Sequence, residues 1–172
     1  MIRFIIFTSL IVLLGNCNQR RNNGSEMTQK EIDDRLMEIN EQMTGNEKNR
    51  IDAFVEKKSW PLEETGTGLR YWIYEDAEGE TGKRGQTAEI SFVITLLDGT
   101  ECYRTEGDNT RKFRIEQSDV ESGLHEAIQY LSAGDKAKVI LPSHLAYGLA
   151  GDMNKIPLKS TLVYDIELHS LR

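Results

Sequence analysis

The chain has 172 residues, 38% hydrophobic and 28% charged, with 21 basic against 28 acidic side chains and a net charge of -7. These values exclude collagen-like, disulfide-scaffold and multi-span membrane chains, and they leave room for one ordinary globular domain with additions. Residues 1–60 carry 9 basic and 9 acidic groups, so the whole surplus of acid lies in residues 61–172. An acidic domain repels a phosphate backbone, and nucleic acid is not an expected partner.

Arg3 is the only charge before Arg20, and Phe4–Leu14 contains only Phe, Ile, Leu, Val, Thr and Ser. That run is too short for a hydrocarbon core, which takes about 20 helical residues, but it matches the h-region of a secretory signal. Leu14, Gly15, Asn16 and Cys17 then resemble the end of a bacterial lipoprotein signal, with Asn16 where a smaller residue is usual. The resemblance implies cleavage before Cys17, acylation of its thiol and a membrane lipoprotein of the cell envelope, facing the periplasm or the cell surface. An ordinary cleaved signal with a bystander cysteine is the competing reading. With Cys17 acylated, Cys102 has no partner for an intramolecular disulfide. Residues 1–16 are therefore read as signal peptide, 17–26 as flexible tether, 27–60 as a helical segment and 61–172 as the globular domain.

Asn18–Ser25 has no large apolar residue and reads as spacer. Thr28 with Glu31 makes a capping box, and Ile32, Leu36, Ile39 and Met43 follow at spacings of 4, 3 and 4. Gly45 and Asn46 are expected to break this helix. Ile51, Phe54 and Val55 then lie on one face of a second helical segment ending near Trp60 and Pro61. Either these helices pack on the domain or act as a spacer, or residues 28–58 form a homodimer through a short coiled coil.

Beyond Pro61 the period changes. Leu69–Tyr74 is a predicted strand, Ile90, Phe92, Ile94 and Leu96 alternate on a half-buried strand, and Asp98-Gly99 supplies a hairpin turn. Lys112–Ile115 is a short strand. Val120, Leu124, Ala127, Ile128 and Leu131 recur at helical spacing before Gly134, and Lys136–Leu141 and Thr161–Leu168 close the chain as strands. The order predicts an α+β domain in which a curved antiparallel sheet wraps one helix.

LLDGT at 96–100, VESGLHEAIQYLSAGDKAKVILP at 120–142, AYG at 146–148, IP at 156–157 and TLVYDIEL at 161–168 together resemble the FKBP-type peptidyl-prolyl isomerases. The resemblance implies a five- or six-stranded half-barrel around one helix, with an apolar pocket that accepts proline and lowers the barrier to X-Pro rotation. The signal, helix and single domain also resemble a lipoprotein subgroup linked with gliding machinery. Proline-containing or unfolded polypeptides are the implied partners. No cofactor or metal is implied, and His125, His144 and His169 show no metal-ligand spacing and read as surface residues.

Carried over residue by residue, Tyr147 matches the pocket tyrosine whose hydroxyl bonds a substrate carbonyl. Ile156 and Tyr164 match the pocket wall, Phe113 a strand aromatic, Val120 and the Glu121 backbone amide the start of the helix, and Leu124 the pocket floor. Phe92, Cys102 and Tyr103 stand where the family has a Tyr and then a Phe-Asp pair, Arg111 where it has an aromatic, and Glu121 where it has an aliphatic residue. These departures imply a pocket that is shallower and less apolar, or filled by Tyr103, with the charges of Arg111 and Glu121 at its rim. Phe92, Phe113, Leu124 and Tyr164 are core residues first, and Cys102 reads as a small buried hydrophobe. Two functions follow: a membrane-anchored isomerase for exported polypeptides, or a weakly active binding module of the same fold in an envelope assembly.

Overall fold

The computed structural model describes residues 27–172 apart from residue 108; the signal-like run and Cys17 lie outside the described residues. The chain divides after Met37 into two units, of which Glu38–Arg172 carries the whole sheet. Helix α1 spans Gln29–Lys58. It opens with the expected capping box: the Thr28 N–H donates to Glu31 Oε2 at 2.7 Å and the Glu31 N–H to Thr28 Oγ1 at 3.3 Å.

The helix does not break at Gly45 and Asn46, contrary to expectation. One interior glycine costs only about 1 kcal/mol, and the turns that follow are anchored. Glu47 is buried and accepts hydrogen bonds from the Ser143 N–H at 2.7 Å, Ser143 Oγ at 2.9 Å and Thr161 Oγ1 at 2.7 Å. One turn later, Ile51 packs with Ile140 and Val163, and Phe54, Val55, Trp60 and Leu62 extend the cluster.

The remaining elements are β1 (Glu63–Glu64), β2 (Arg70–Glu75), β3 (Thr87–Leu96), β4 (Glu101–Arg104), β5 (Arg111–Arg114), α2 (Ser122–Ile128), β6 (Lys136–Leu141), a short 3-10 turn (Ser143–Leu145) and β7 (Leu162–Leu171). The strands form one antiparallel sheet in the order β1-β2-β6-β7-β3-β4, with β5 also on β3. Seven strands form rather than five or six because β1 adds a two-residue pair and β4 and β5 share one edge of β3. Thr87–Ile90 pairs with β5 and Val93–Thr95 with β4.

Lys136–Leu141 forms as read, and the other predicted elements shift at their ends. Helix α2 stops at Ile128 because Gln129, Tyr130 and Leu131 bond to carbonyls three residues back, a tighter turn that leads to Gly134 at φ 102.

Period-two alternation gives the sheet two buried faces. Val139, Leu141, Leu162, Tyr164 and Ile166 join Ile90, Ile94 and the α2 residues Leu124, Ala127 and Ile128 in the main core. Ile140 and Val163, cross-strand partners, point the other way onto α1. The sheet is thus packed between α2 and the C-terminal half of α1.

Candidate active site

Three segments meet at the start of α2. Gly123 lets the helix press on the end of β6: a Cβ there would lie 2.7 Å from Leu141 Cδ2 and 2.9 Å from the Leu145 carbonyl oxygen. The Gly148 N–H donates to the Ser143 carbonyl at 2.8 Å, and the Lys159 N–H to the Gly148 carbonyl at 3.1 Å, which fixes the loop carrying Tyr147. Between these segments and the first residue of β5 lies a cavity of about 250 Å³, lined by Arg111, Asp119, Val120, Glu121, Ala146 and Tyr147.

Its electrostatics centre on Glu121, which stands at the N-cap position of α2 yet makes no side-chain capping bond. The carboxylate turns inward instead, and the hydroxyl of the fully buried Tyr164 donates to Oε1 at 2.9 Å. Glu121 is only 6% exposed, so it is a buried group and not the rim charge expected. Oε2 has no hydrogen-bond partner among the described residues, and the nearest cation, Arg111 Nη1, stands 3.8 Å away.

Burial first, and then the neighbouring Glu121 carboxylate, hold the Tyr147 hydroxyl above the ordinary tyrosine range. Burial and the Glu121 carboxylate raise Tyr164 as well. Both phenols therefore remain protonated donors at neutral pH.

Of the residues read from the sequence, Val120, Glu121 and Tyr147 line the cavity and Tyr164 backs it through Glu121. Phe92 packs on Tyr164 with ring centroids 6.0 Å apart, against the main core, and does not line this cavity. Phe113, Leu124 and Cys102 are core. Burial raises the Cys102 thiol, helped by the charge of Asp152, and disfavours the thiolate. Ile156 is buried, with its N–H on Asp152 Oδ1 at 2.7 Å.

Tyr103 does not fill the cavity. Its hydroxyl is hydrogen-bonded to Asp152 and receives Asn154 Nδ2 at 3.2 Å, which ties β4 to the 152–156 loop. His125 is half-buried, not superficial: Nδ1 accepts the Glu116 N–H at 3.0 Å and the ring packs on Phe113.

The sequence reading missed Asp119, Ala146 and Asp152. Ala146 stood within the AYG motif and Asp119 next to Val120, so proximity to matched positions was the available signal. Asp152 had none, because its role is to gather a loop that shows no periodicity.

Residues 78–169 match the profile described as FKBP-type peptidyl-prolyl cis-trans isomerase. Over 119 residues the chain is 35% identical to the FKBP-type peptidyl-prolyl cis-trans isomerase FkpA of Escherichia coli strain K12, covering 68% of this chain and 42% of the relative. It is 38% identical over 87 residues to the peptidyl-prolyl cis-trans isomerase Fkbp12 of Drosophila melanogaster, covering 50% of this chain and 81% of the relative. The crystal structure of FkpA from Escherichia coli superposes with a TM-score of 0.62 at 27% identity, over 86% of this chain and 75% of that one. The 1.6 Å structure of a peptidyl-prolyl cis-trans isomerase from Pseudomonas syringae pv. tomato gives 0.64 at 25% identity, over 76% of this chain and 94% of that one. The chain thus spans less than half the length of the FkpA relative from Escherichia coli.

Proposed function

Because the chain belongs to the FKBP-type peptidyl-prolyl cis-trans isomerase family, we propose that it catalyses X-Pro isomerisation in exported polypeptides while held at a cell-envelope membrane through acylated Cys17. The barrier to rotation is about 18 to 20 kcal/mol and no bond is broken, so a catalyst needs only to hold the twisted amide better than either planar isomer. The observation that carries the reading is the place of Tyr147 in the lining of a cavity at the start of α2. The Tyr147 hydroxyl can donate a hydrogen bond to a carbonyl freed from conjugation, with Val120 and Ala146 as apolar walls.

The sequence supports the finer parts of the proposal. The h-region and Cys17 support export and anchoring, and no described helix is long and apolar enough to cross a membrane. Ile32, Leu36, Ile39 and Met43 are exposed along one stripe of α1, which supports a homodimer seam there. Ile51, Phe54 and Val55 pack against the protein's own sheet. The layout of signal, helix and single domain fits the gliding-linked lipoprotein subgroup.

A second reading, a binding module with little catalysis, is favoured by one observation: a carboxylate stands in the wall where the family has an apolar residue. A protease-coupled or NMR-exchange assay on a proline peptide with residues 27–172 separates the two. Acceleration that falls at least tenfold in Tyr147→Ala supports the enzyme; no acceleration alongside measurable binding to an unfolded protein leaves the binding module.

A further inference from the structure

The ring of His125 spans the turn that leads into α2. Nδ1 accepts the Glu116 N–H at 3.0 Å, and Nε2 lies 3.0 Å from the Ser118 carbonyl oxygen. A backbone N–H only donates and a carbonyl only accepts, so the ring is neutral and carries its proton on Nε2. Glu116 is held at a φ of 57, a conformation that a residue other than glycine keeps where its surroundings impose it. The Ser118 carbonyl also accepts the Val120 N–H at 3.0 Å. Asp119, Val120 and Glu121, half of the residues lining the cavity, follow directly from this turn. Glu121 makes no side-chain capping bond, so the start of this seven-residue helix depends on the turn before it.

We infer that His125 is a positioning residue: its neutral imidazole holds the turn from Glu116 to Ser118, and through it the wall formed by Asp119, Val120 and Glu121, so that protonating the ring weakens proline binding. This rests on the reading of the cavity as the X-Pro site. An imidazole is the side chain whose charge changes in mildly acid solution. The added proton goes on Nδ1 and turns an acceptor into a donor facing the Glu116 N–H, which leaves two donors opposed. The neighbouring charges are committed elsewhere. In the turn, the Glu116 carboxylate accepts from Gln129 Nε2 at 3.1 Å and pairs with Arg84 at 3.4 Å, and Asp119 lines the cavity. In α2, Glu121 accepts from Tyr164, and Glu126 from Thr65 and Thr67. β5, whose Phe113 packs on the ring, has Arg111 beside Glu121, Lys112 beside Glu89 and Arg114 on the Gly85 carbonyl. β6 and the 3-10 turn, also against α2, have Lys136 on Glu75, Lys138 on Asp165 and His144 on the Thr67 carbonyl.

The test uses the full chain and a short proline peptide, with affinity measured by NMR titration at about pH 7.5 and about pH 5.5, either side of the usual imidazole range. Wild type is expected to bind about tenfold more weakly at the lower pH. His125→Asn puts an amide oxygen close to the place of Nδ1 and cannot be protonated, so its affinity should change less than about twofold. His125→Leu lacks the acceptor and should bind about tenfold more weakly than wild type at the higher pH, with no further fall at the lower. In wild type, the imidazole nitrogen shifts should show the proton on Nε2 at the higher pH. The Glu116 amide should lose about tenfold in hydrogen-exchange protection at the lower.

Three results would each overturn the inference: a wild-type affinity that is flat between the two pH values, an Nδ1-protonated ring at the higher pH, or the same fall in His125→Asn, which moves the effect to another group such as His144 or His169. If the variants do not fold, the exchange and shift measurements on wild type decide it alone, and unchanged Glu116 protection counts against it. Loss of that protection at low pH without peptide binding at either pH refutes the reading of the cavity and leaves the clamp on the turn standing.

Discussion

Tyr164 and Glu121 form a pair in which each side chain explains the other. A phenol at the fully buried position 164 needs an acceptor, and a carboxylate drawn inside needs a donor. Tyr164→Phe removes the donor but not the charge, so it is expected to lose about 1 to 3 kcal/mol of stability by urea unfolding. Adding Glu121→Ile should recover most of that loss, because removing both halves of a buried polar pair costs less than removing one. Strict additivity in the double-mutant cycle would contradict the pairing.

Asp52 lies chiefly under the hydrogen bond from the Arg70 guanidinium, which holds its carboxyl below the ordinary range of about 3.9. A folded-state value below the unfolded one adds stability above the unfolded value, and that stability is lost as pH falls through the folded value. Asp52→Asn should therefore be less stable than wild type at pH 7, with the difference shrinking as pH falls below the unfolded value of about 3.9. A difference independent of pH would show that the ion pair is not its source.

At the scale of elements, α1 is joined to the sheet by polar bonds as well as packing. Glu47 gathers the 3-10 turn and the residue before β7, two segments that flank the loop bearing Tyr147. Glu47→Ala leaves the Ser143 N–H and the Thr161 hydroxyl without that acceptor, and about 2 to 4 kcal/mol should be lost. Trp60 and Trp72 stand together at this junction with ring centroids 6.5 Å apart, so intrinsic fluorescence reports its release. A loss below about 0.5 kcal/mol would mean that solvent replaces these bonds freely.

For the whole molecule, the proposed seam and anchor make separate predictions. Sedimentation equilibrium of residues 27–172 should give a dimer that Leu36→Glu converts to monomer, because a charge at the centre of an apolar seam is desolvated without a partner. A monomeric wild type would remove the seam. The full chain should partition into detergent and Cys17→Ala into water, since several acyl chains contribute about 0.8 kcal/mol per buried methylene. Equal partition would end the proposed anchor.

The alternating runs at 90–96, 136–141 and 161–168 and the helical spacing from Val120 were enough to predict the α+β class, because burial on one face leaves its period in the sequence. The capping box at Thr28 and the core placement of Phe113 and Leu124 were legible for the same local reason. Continuity of α1 through Gly45 was not, since the bonds that hold the following turn come from residues about a hundred positions away. Nor was the inward turn of Glu121, which a reading of the helix start alone places at the surface. That depends on a tyrosine hydroxyl delivered by the last strand, and only the fold brings positions 121 and 164 within 2.9 Å. Local periodicity fixed which residues are buried; long-range pairing of polar groups decided what the cavity offers a ligand.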